Sequence, residues 1–459
     1  MVFIEKILRI GVGIGLRRLN GLKFTRIEPD FTERKDDIGL YIHIPFCKKF
    51  CTYCAFQKFA YNPKKAERYV QAVKGEIDLY AEKLNDVEIG DVYFGGGTPS
   101  LIPEGLVEIT DHLRSKFRVN GELSFEANPD DVNDSMCDTL RDTGFDKVSM
   151  GVQTFNDEIL REINRRHDRA QAYKAIKMLM EKGFYLSIDL LFGLPNQTLS
   201  DVMRDLERAV ELDVPQICPY AVMLYPKSKL YMDVKKGLVK LPSEGDVKKM
   251  YYCIIDLMTS EGYDSGIWEF RKRGIEGTDY ATCTRSDEVI GMGASSYSMP
   301  DSLFYFNTAF LEEYMDSIAK KRLPIAIGAD LSSSQFKDQF KRGIVKRMIG
   351  IFLDMYDLSE MMKMKGPMME LARRGVMKTS DFEEAMEKMA GKRMAGMWKM
   401  MMPIGTMETS GDDIRLTKRG NYYASVMANY LMPGQGRYGE DILLEEPWPE
   451  WVFEFKGVG

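Results

Sequence analysis

GLYIHIPFCKKFCTYC, residues 39–54, is the stretch on which the reading of this chain turns. GLYIHI alternates and carries β-branched and aromatic residues, the pattern of a strand. It runs into a loop that holds Cys47, Cys51 and Cys54 in a C-x3-C-x2-C arrangement, with no fourth cysteine close by. A strand that delivers three thiols to one loop raises two questions: what fold repeats around it, and what chemistry uses three thiolates with a fourth position open.

Outward from this stretch the same rhythm recurs. VEIGDVYFGGG (87–97), ELSFEAN (122–128), KVSMGVQ (147–153), YLSIDLLFG (185–193) and PQICPYAV (215–222) read as strands. Helical spacing fills 66–84, 103–117, 131–143, 156–164, 169–182 and 199–212 between them. Repeated βα units imply a parallel sheet, and six of them predict an α/β fold of the partial (βα)6 TIM-like barrel type. In such a fold chemistry gathers where the strands end. The unusual residues fall there: the three cysteines after the first strand, Gly95-Gly96-Gly97-Thr98 after the second, Glu126 on the third, Gln153 on the fourth, Asp189 on the fifth, and Tyr220 and Ala221 on the sixth.

The chain has 459 residues, 44% hydrophobic and 29% charged, with a net charge of −6. That acidic balance argues against a nucleic-acid binder, which needs a basic face. No apolar run reaches the roughly 18–20 residues of a membrane span. Seven cysteines and no secretory signal predict a reducing, cytoplasmic setting rather than a disulfide framework.

Three chemistries compete for Cys47, Cys51 and Cys54. Zinc usually takes four ligands from paired clusters, and His43, the nearest further ligand, sits on the strand and would have to fold back. Structural burial fits poorly with Lys48, Lys49 and Thr52 in the loop. An iron–sulfur cube fits best: it is usually held by four thiolates, so three leave one iron open to a substrate.

C-x3-C-x2-C with Tyr53 before its last cysteine resembles the signature of the radical S-adenosylmethionine (radical SAM) superfamily. YIHIPFC, GGGTPS, SFEANP, GVQTFN, IDLLFGLP and PYA, in that order over residues 38–300, resemble the oxygen-independent coproporphyrinogen III oxidase and haem chaperone family. The resemblance implies a [4Fe–4S] cluster on Cys47, Cys51 and Cys54 that cleaves S-adenosylmethionine (SAM) to a 5′-deoxyadenosyl radical. The cofactor then supplies the difficult chemistry and the protein positions it. By the same resemblance Tyr41, Tyr53, Gly96, Gly97, Thr98, Glu126, Gln153, Arg165, Asp189 and Ala221 contact SAM. Arg165 would pair a carboxylate in the two-pronged way that suits arginine. The loop GMGASSYS (291–298) would border a second SAM, with Tyr297 where the oxidases have an apolar residue. One or two SAM molecules, a small-molecule substrate such as a tetrapyrrole, and an electron donor such as flavodoxin or ferredoxin are the implied partners.

Two departures bear on the reaction. The oxidases carry a further cysteine two residues after the third; here that position is Phe56. The chaperones carry a His-Asn-x-x-Tyr-Trp motif before the glycine loop. This chain has only His43, His112 and His167, and the corresponding TDYATCTRSD offers Cys283 alone as a soft ligand. The expected function is thus a coproporphyrinogen-oxidase-like radical SAM enzyme acting on a tetrapyrrole or other small organic molecule. Radical C-methylation and oxidative decarboxylation are the reactions in view, and haem carriage is the competing class.

The expected organisation is a basic amphipathic arm (1–37), the barrel and its extension (38–325), a mostly helical accessory domain (326–432) and a tail (433–459). The arm is expected to pack on the body, with contact to a membrane surface the lesser reading. The accessory domain falls in a stretch that holds more than half of the 31 methionines, more suited to plastic core than to a binding surface.

Overall fold

Six parallel strands stand side by side in chain order, as the sequence rhythm predicts: β1 (Ile38–Ile44), β2 (Glu88–Gly96), β3 (Leu123–Ala127), β4 (Phe145–Gln153), β5 (Tyr185–Phe192) and β6 (Gln216–Ala221). The computed structural model describes residues 27–29, 31, 38–54, 56–84, 87–224, 228–265, 268–275, 288–300, 303–330, 376–390, 407–418 and 421–422. Between the strands run α1 (Pro63–Ala81), α2 (Pro103–Lys116), α3 (Asp134–Thr143), α4 (Asp157–Glu162), α5 (Arg169–Glu181) and α6 (Leu199–Glu211). Their starts are chemically marked. Asn62 and Asn133 cap α1 and α3, and reciprocal capping boxes, Asp168 with Gln171 and Thr198 with Asp201, open α5 and α6.

A parallel crossover is right-handed, so strands taken in sequential order place all their helices on the same face. Leu40, Ile42, Phe94, Phe125, Val148, Met150, Leu186 and Ile188 belong to one buried core with Val73, Ile77, Leu106, Ile109, Leu140, Ile176 and Leu206 from those helices. Because strand residues alternate between faces, the intervening positions form the opposite, inward face. Register aligns them in rows: Tyr41, Tyr93, Ser124, Lys147 and Tyr185; then His43, Gly95, Glu126, Ser149, Ser187 and Gln216; then Gly151, Asp189 and Cys218. The helix-facing side is hydrocarbon and the inward side is polar.

The sheet extends beyond the six expected strands. After α7 (Lys229–Lys235) and α8 (Glu244–Ser260), β7 (Tyr263–Ser265) and β8 (Phe270–Lys272) pair antiparallel to each other and on to β6. At the other edge β9 (Glu288–Met292) joins β1 in parallel, Tyr41 opposite Gly291. The glycine loop then leads into a small antiparallel sheet of β10 (Tyr297–Ser298), β11 (Leu303–Asn307) and β12 (Ile325–Asp330), with α9 (Leu311–Ala319) between the last two. The last strand runs across the boundary expected at 325/326.

Of the accessory region, the described residues form α10 (Thr379–Ala390) and a three-stranded antiparallel sheet of β13 (Val376–Lys378), β14 (Met407–Ser410) and β15 (Asp413–Leu416). The sequence reading anticipated the helix and not the strands. Leu416, inside the region expected to be mostly helical, ends a strand. Most of the 1–37 arm, Cys283 with most of its surrounding stretch, and the whole 433–459 tail lie outside the described residues. Among the described residues no helix is long and apolar enough to cross a membrane.

One buried carboxylate ties the glycine loop to the barrel. Glu76 of α1 is fully buried and accepts from the Gly293 amide (2.8 Å), the Tyr314 hydroxyl (2.6 Å) and the Asn307 side-chain amide (2.7 Å). Tyr69, two turns earlier, donates to the His43 carbonyl (2.7 Å) and accepts from the Ala294 amide (2.9 Å). Burial pushes the Glu76 carboxyl up to about 7 although its three donors oppose that shift. A carboxyl whose pKa is raised by folding adds stability below its unfolded pKa and loses it as pH rises through the folded value. Wild-type stability therefore carries a falling segment between about pH 4.5 and 7, on the order of 3 kcal/mol from this group. In Glu76→Gln, which cannot titrate, denaturant unfolding at pH 5, 6, 7 and 8 should show that segment flattened relative to wild type; superimposable slopes would refute the assignment.

Candidate active site at the strand ends

Cys47 ends a two-residue extension, Phe46–Cys47, that pairs in parallel with Phe59–Ala60. The bonds Phe59 N to Pro45 O (2.7 Å) and Tyr61 N to Cys47 O (2.9 Å) close the base of the cysteine loop. Its far side is held from α4 and its C-terminal turn: Thr52 N donates to Ile163 O (3.1 Å) and the Asn164 side chain to Phe50 O (2.7 Å). The loop is built by the barrel on both flanks.

The glycine run explains itself against this loop. Gly96 has φ +112°, and a Cβ there would stand 2.5 Å from the His43 ring. A Cβ on Gly97 would stand 2.8 Å from the backbone of Ile44 and Phe46. Only glycine lets β2 end so close to the base of the cysteine loop. Thr98, the next residue, points its hydroxyl at the Cys47 sulfur at 3.6 Å.

Arg165 reaches the loop from the other side. Its Nη1 donates to the Cys51 sulfur at 3.5 Å, and its Nη2 to Asn128 Oδ1 at 2.7 Å and to the Gly151 carbonyl. Its Nε is buried and has no hydrogen-bond partner. Gln153 is a non-glycine residue at φ +71°, a conformation that costs energy unless its surroundings hold it. Its amide folds back over Gly151, where a Cβ would meet it at 2.6 Å.

The carboxylates lie on the same inward face. Glu126 accepts from the Tyr93 hydroxyl (2.9 Å) and the Gly96 amide (3.0 Å), and burial raises its pKa. Asp189 accepts from the Ser149 hydroxyl (3.3 Å); burial, then the charge of Glu126, push it up to about 7. Tyr41 stacks between Tyr93 (6.3 Å between centroids) and Tyr297 (6.0 Å), and its hydroxyl meets His43 Nδ1 at 2.8 Å. Tyr53 is half-buried beside Ile159, Leu160 and Ile163, and burial raises its hydroxyl well above the ordinary value. Ala221 ends β6 opposite Phe192, next to Tyr220, whose ring meets Trp268 at 6.0 Å.

Every sequence-predicted site residue thus falls on this loop, this face or its rim. Gln153, Arg165 and the Cys51 sulfur converge directly; Tyr297 arrives from the glycine loop by stacking on Tyr41. Sequence reasoning passed over Tyr93, Asn128, Ser149 and Gly151, and weighed His43 only as a zinc ligand. Their signal was the two-residue alternation itself, Y-I-H, Y-F-G and S-M-G, which puts them on the face already marked by Glu126 and Asp189. None of Glu126, Arg165 or Asp189 lines the cavity of about 250 Å³ beside Lys48 and Asp131.

Burial pushes the Cys47 thiol up to about 11 and raises Cys54 as well. Among the described residues no three His, Cys, Asp or Glu side chains are gathered around one ion position. The donor set still suits an iron–sulfur cube, in which each thiolate takes a different iron: three free thiols on one loop, with the Thr98 hydroxyl and the Arg165 guanidinium directed at two of the sulfurs. The Arg165 Nε is a buried donor with no hydrogen-bond partner in the protein.

Residues 41–209 match the Radical SAM superfamily. The chain is 31% identical to the haem chaperone HemW of Bacillus subtilis over 62% of this chain and 76% of that protein. It is 27% identical to the oxygen-independent coproporphyrinogen III oxidase of Escherichia coli over 68% and 71% of the two chains. The solved structure of the Escherichia coli coproporphyrinogen III oxidase HemN superimposes with a TM-score of 0.69 at 23% identity, covering 90% of this chain and 95% of that one. That structure shares the fold.

The glycine geometry gives a direct test. Gly97→Ala should cost about 1–3 kcal/mol, since its Cβ meets backbone that cannot swing aside. Gly245→Ala, in the first turn of α8 with only the Ser243 hydroxyl at 3.7 Å, should change stability by less than about 1 kcal/mol. Equal unfolding midpoints for the two variants would remove the close approach from the account.

Proposed function

This chain belongs to the radical SAM family of the oxygen-independent coproporphyrinogen III oxidases and haem chaperones, and from that membership we propose that it is an enzyme that reductively cleaves SAM. Cys47, Cys51 and Cys54 would hold a [4Fe–4S] cluster, with the SAM side formed by Tyr41, Tyr53, Gly96, Gly97, Thr98, Glu126, Gln153, Arg165, Asp189 and Ala221. When bound, the cluster supplies one electron to the SAM sulfonium, releasing methionine and opening 5′-deoxyadenosyl radical chemistry on a substrate.

The observation that carries this reading is Arg165. One guanidinium touches the cysteine loop at Cys51, lies beside Gln153, and keeps its buried Nε for a carboxylate. The face around it carries two half-buried carboxylates, Glu126 and Asp189, and its other cation, Lys147 near the start of β4, is already paired with Glu122. Such a face stabilises a ligand bearing positive charge, and SAM carries an ammonium and a sulfonium beside its one carboxylate. The hydrogen-bond acceptors of Glu126 and Asp189 would take an amine or ribose hydroxyls, while the Tyr41–Tyr297 stack closes the edge toward the glycine loop.

The substrate class is a tetrapyrrole or another small organic molecule. Phe56, standing where the oxidases carry a cysteine, favours radical methylation over oxidative decarboxylation, with the loop Gly291–Ser298 as the wall for a second SAM. Haem carriage is the second reading, supported by similarity to HemW. Against it stand the three histidines: His43 meets Tyr41, His112 meets Asp78 at 2.9 Å, and His167 meets the Val152 carbonyl at 3.1 Å. Free thiols on a loop of this kind suit the cytoplasm.

Anaerobic reconstitution should load about four irons per chain, as one cube requires. Alanine at Cys47, Cys51 or Cys54 should abolish loading, whereas Cys137→Ala and Cys218→Ala should retain it. With dithionite and SAM the loaded protein should release 5′-deoxyadenosine. Arg165→Ala and Asp189→Ala should bind SAM about tenfold or more weakly at unchanged iron content, since a charged hydrogen-bonding partner is lost. Tightly bound zinc with no iron would end this reading. Added haem should give no histidine-type absorption; a stoichiometric shift of that type would favour carriage. SAM with a deuterated methyl group separates the two reactions, because only methylation transfers the label to product.

A further inference from the structure

Large exposed hydrophobic side chains gather around the cysteine loop. Five are exposed among the described residues, and four belong to the loop or to the segment docked on it: Phe50 (43%), Phe56 (59%), Met232 (40%) and Leu238 (71%). Phe50 and Phe56 bracket Cys51 and Cys54. Met232 lies on α7 and Leu238 just beyond it, and this helix is fastened to the loop by the bond Leu230 N to Thr52 O at 2.8 Å.

The same surface is basic in an acidic chain. Residues 45–61 contain Lys48, Lys49 and Lys58 and no acid; residues 229–240 contain four lysines against Asp233 alone. The whole chain has net charge −6. Lys58 knits the surface together: its ammonium lies 5.8 Å from the Phe50 ring centre and donates to the carbonyls of Cys54 (3.1 Å) and Phe56 (3.0 Å). Lys48 is paired with Asp131 and Lys229 with Asp233; exposed aromatics with further lysines in the same two segments mark an interaction site rather than ordinary surface.

We propose that the outer rim of the cysteine loop, with Lys229–Lys240 beside it, is the docking surface for a small acidic one-electron carrier protein. The inference rests on the cluster reading above and deepens it. The step is a single electron transfer: the carrier is oxidised by one electron and the cluster is reduced by one, which then passes to the SAM sulfonium. Phe50 and Phe56 provide the dry centre of the contact, and the lysines steer an acidic partner to it. An electron has no need of a direct bond, only of close approach, and the rim places the partner against the loop that carries the thiols. The lysines favour an acidic protein over a basic or neutral one; an anionic membrane surface is the other occupant that such a face could take.

The probe is flavodoxin, an acidic one-electron carrier. Lys49→Glu/Phe56→Ser alters the rim itself, and Lys236→Glu/Leu238→Ser alters it away from the cysteines, so a loading defect in the first variant leaves the second informative. With reduced flavodoxin at low salt, 5′-deoxyadenosine formation should fall about tenfold in either variant while the dithionite-driven rate stays at the wild-type level. The wild-type flavodoxin rate should drop steeply on going from about 20 to about 300 mM salt, and the variants should lose that dependence. Independently of turnover, titration of wild-type protein with oxidised flavodoxin should show binding that both variants weaken by a similar factor. Equal flavodoxin rates and equal binding in wild type and both variants would overturn the proposal, as would absence of any response to reduced flavodoxin. Binding to vesicles containing phosphatidylglycerol, lost in the variants while flavodoxin reduction is unchanged, would overturn it in favour of a membrane. Failure of the wild type with dithionite as well would instead strike the SAM-cleavage reading, while the flavodoxin titration would still report on the surface.

Discussion

The architecture depends on one constraint: six parallel strands in sequential order, joined by right-handed crossovers, can be covered by helices on one face only. The period of two along each strand then divides the chain chemically. Ile42, Phe94, Phe125, Val148, Leu186 and Ile188 face hydrocarbon and close one continuous core. Their neighbours in sequence, His43, Gly95, Glu126, Ser149, Ser187 and Asp189, face inward. A doubly wound sheet would have to bury both faces under helices. Here the second face is left to polar groups, and that face becomes the site.

Holding the cysteine loop against this face requires contacts that tolerate almost no spare volume. On one flank the chain passes Gly96 and Gly97 so close to His43, Ile44 and Phe46 that a methyl group would collide. On the other flank a half-buried arginine ties the Cys51 sulfur to Asn128 and to the end of β4. The two devices are different in kind, a steric vacancy and a forked cation. Together they bring residues more than a hundred positions apart into one constellation. The glycine loop is held by a third device, the Glu76 carboxylate, whose three donors come from β11, α9 and the loop itself. The buried network thereby couples helix α1, which follows the cysteine loop in sequence, to the Tyr297 stack that closes the far edge of the site.

The departures from the relatives acquire physical meaning in this setting. Phe56 is exposed and joins Phe50 and Lys58 on the outer rim, so the position adds apolar surface to the rim in place of a thiol. Tyr297 stacks on Tyr41 instead of offering an apolar surface, which makes the wall beside the glycine loop aromatic. The histidines are engaged by Tyr41, Asp78 and the Val152 carbonyl. These features leave the barrel of the family in place and change what surrounds it.

Much of the site was legible from the sequence because the signals are local. The three cysteines are eight residues from first to last, the strands announce themselves by alternation, and chemistry in a βα repeat collects at strand ends. Glu126, Gln153 and Asp189 could be placed on the inward side from these facts alone. Tertiary structure decided the rest, for reasons that no local pattern encodes. Strand EVIGM joins β1 because its register across nearly 250 residues lets Gly291 lie beside Tyr41 and the glycine loop reach Glu76. Arg165 became the bridge between loop and barrel because the turn after α4 aims it inward; the sequence offered only one arginine among several on a charged segment. The strands β13 to β15 replaced part of an expected helical run because segments as short as VMK, METS and DIRL are too brief to show a period of their own. The chain determined which residues share a face; only folding determined which faces meet.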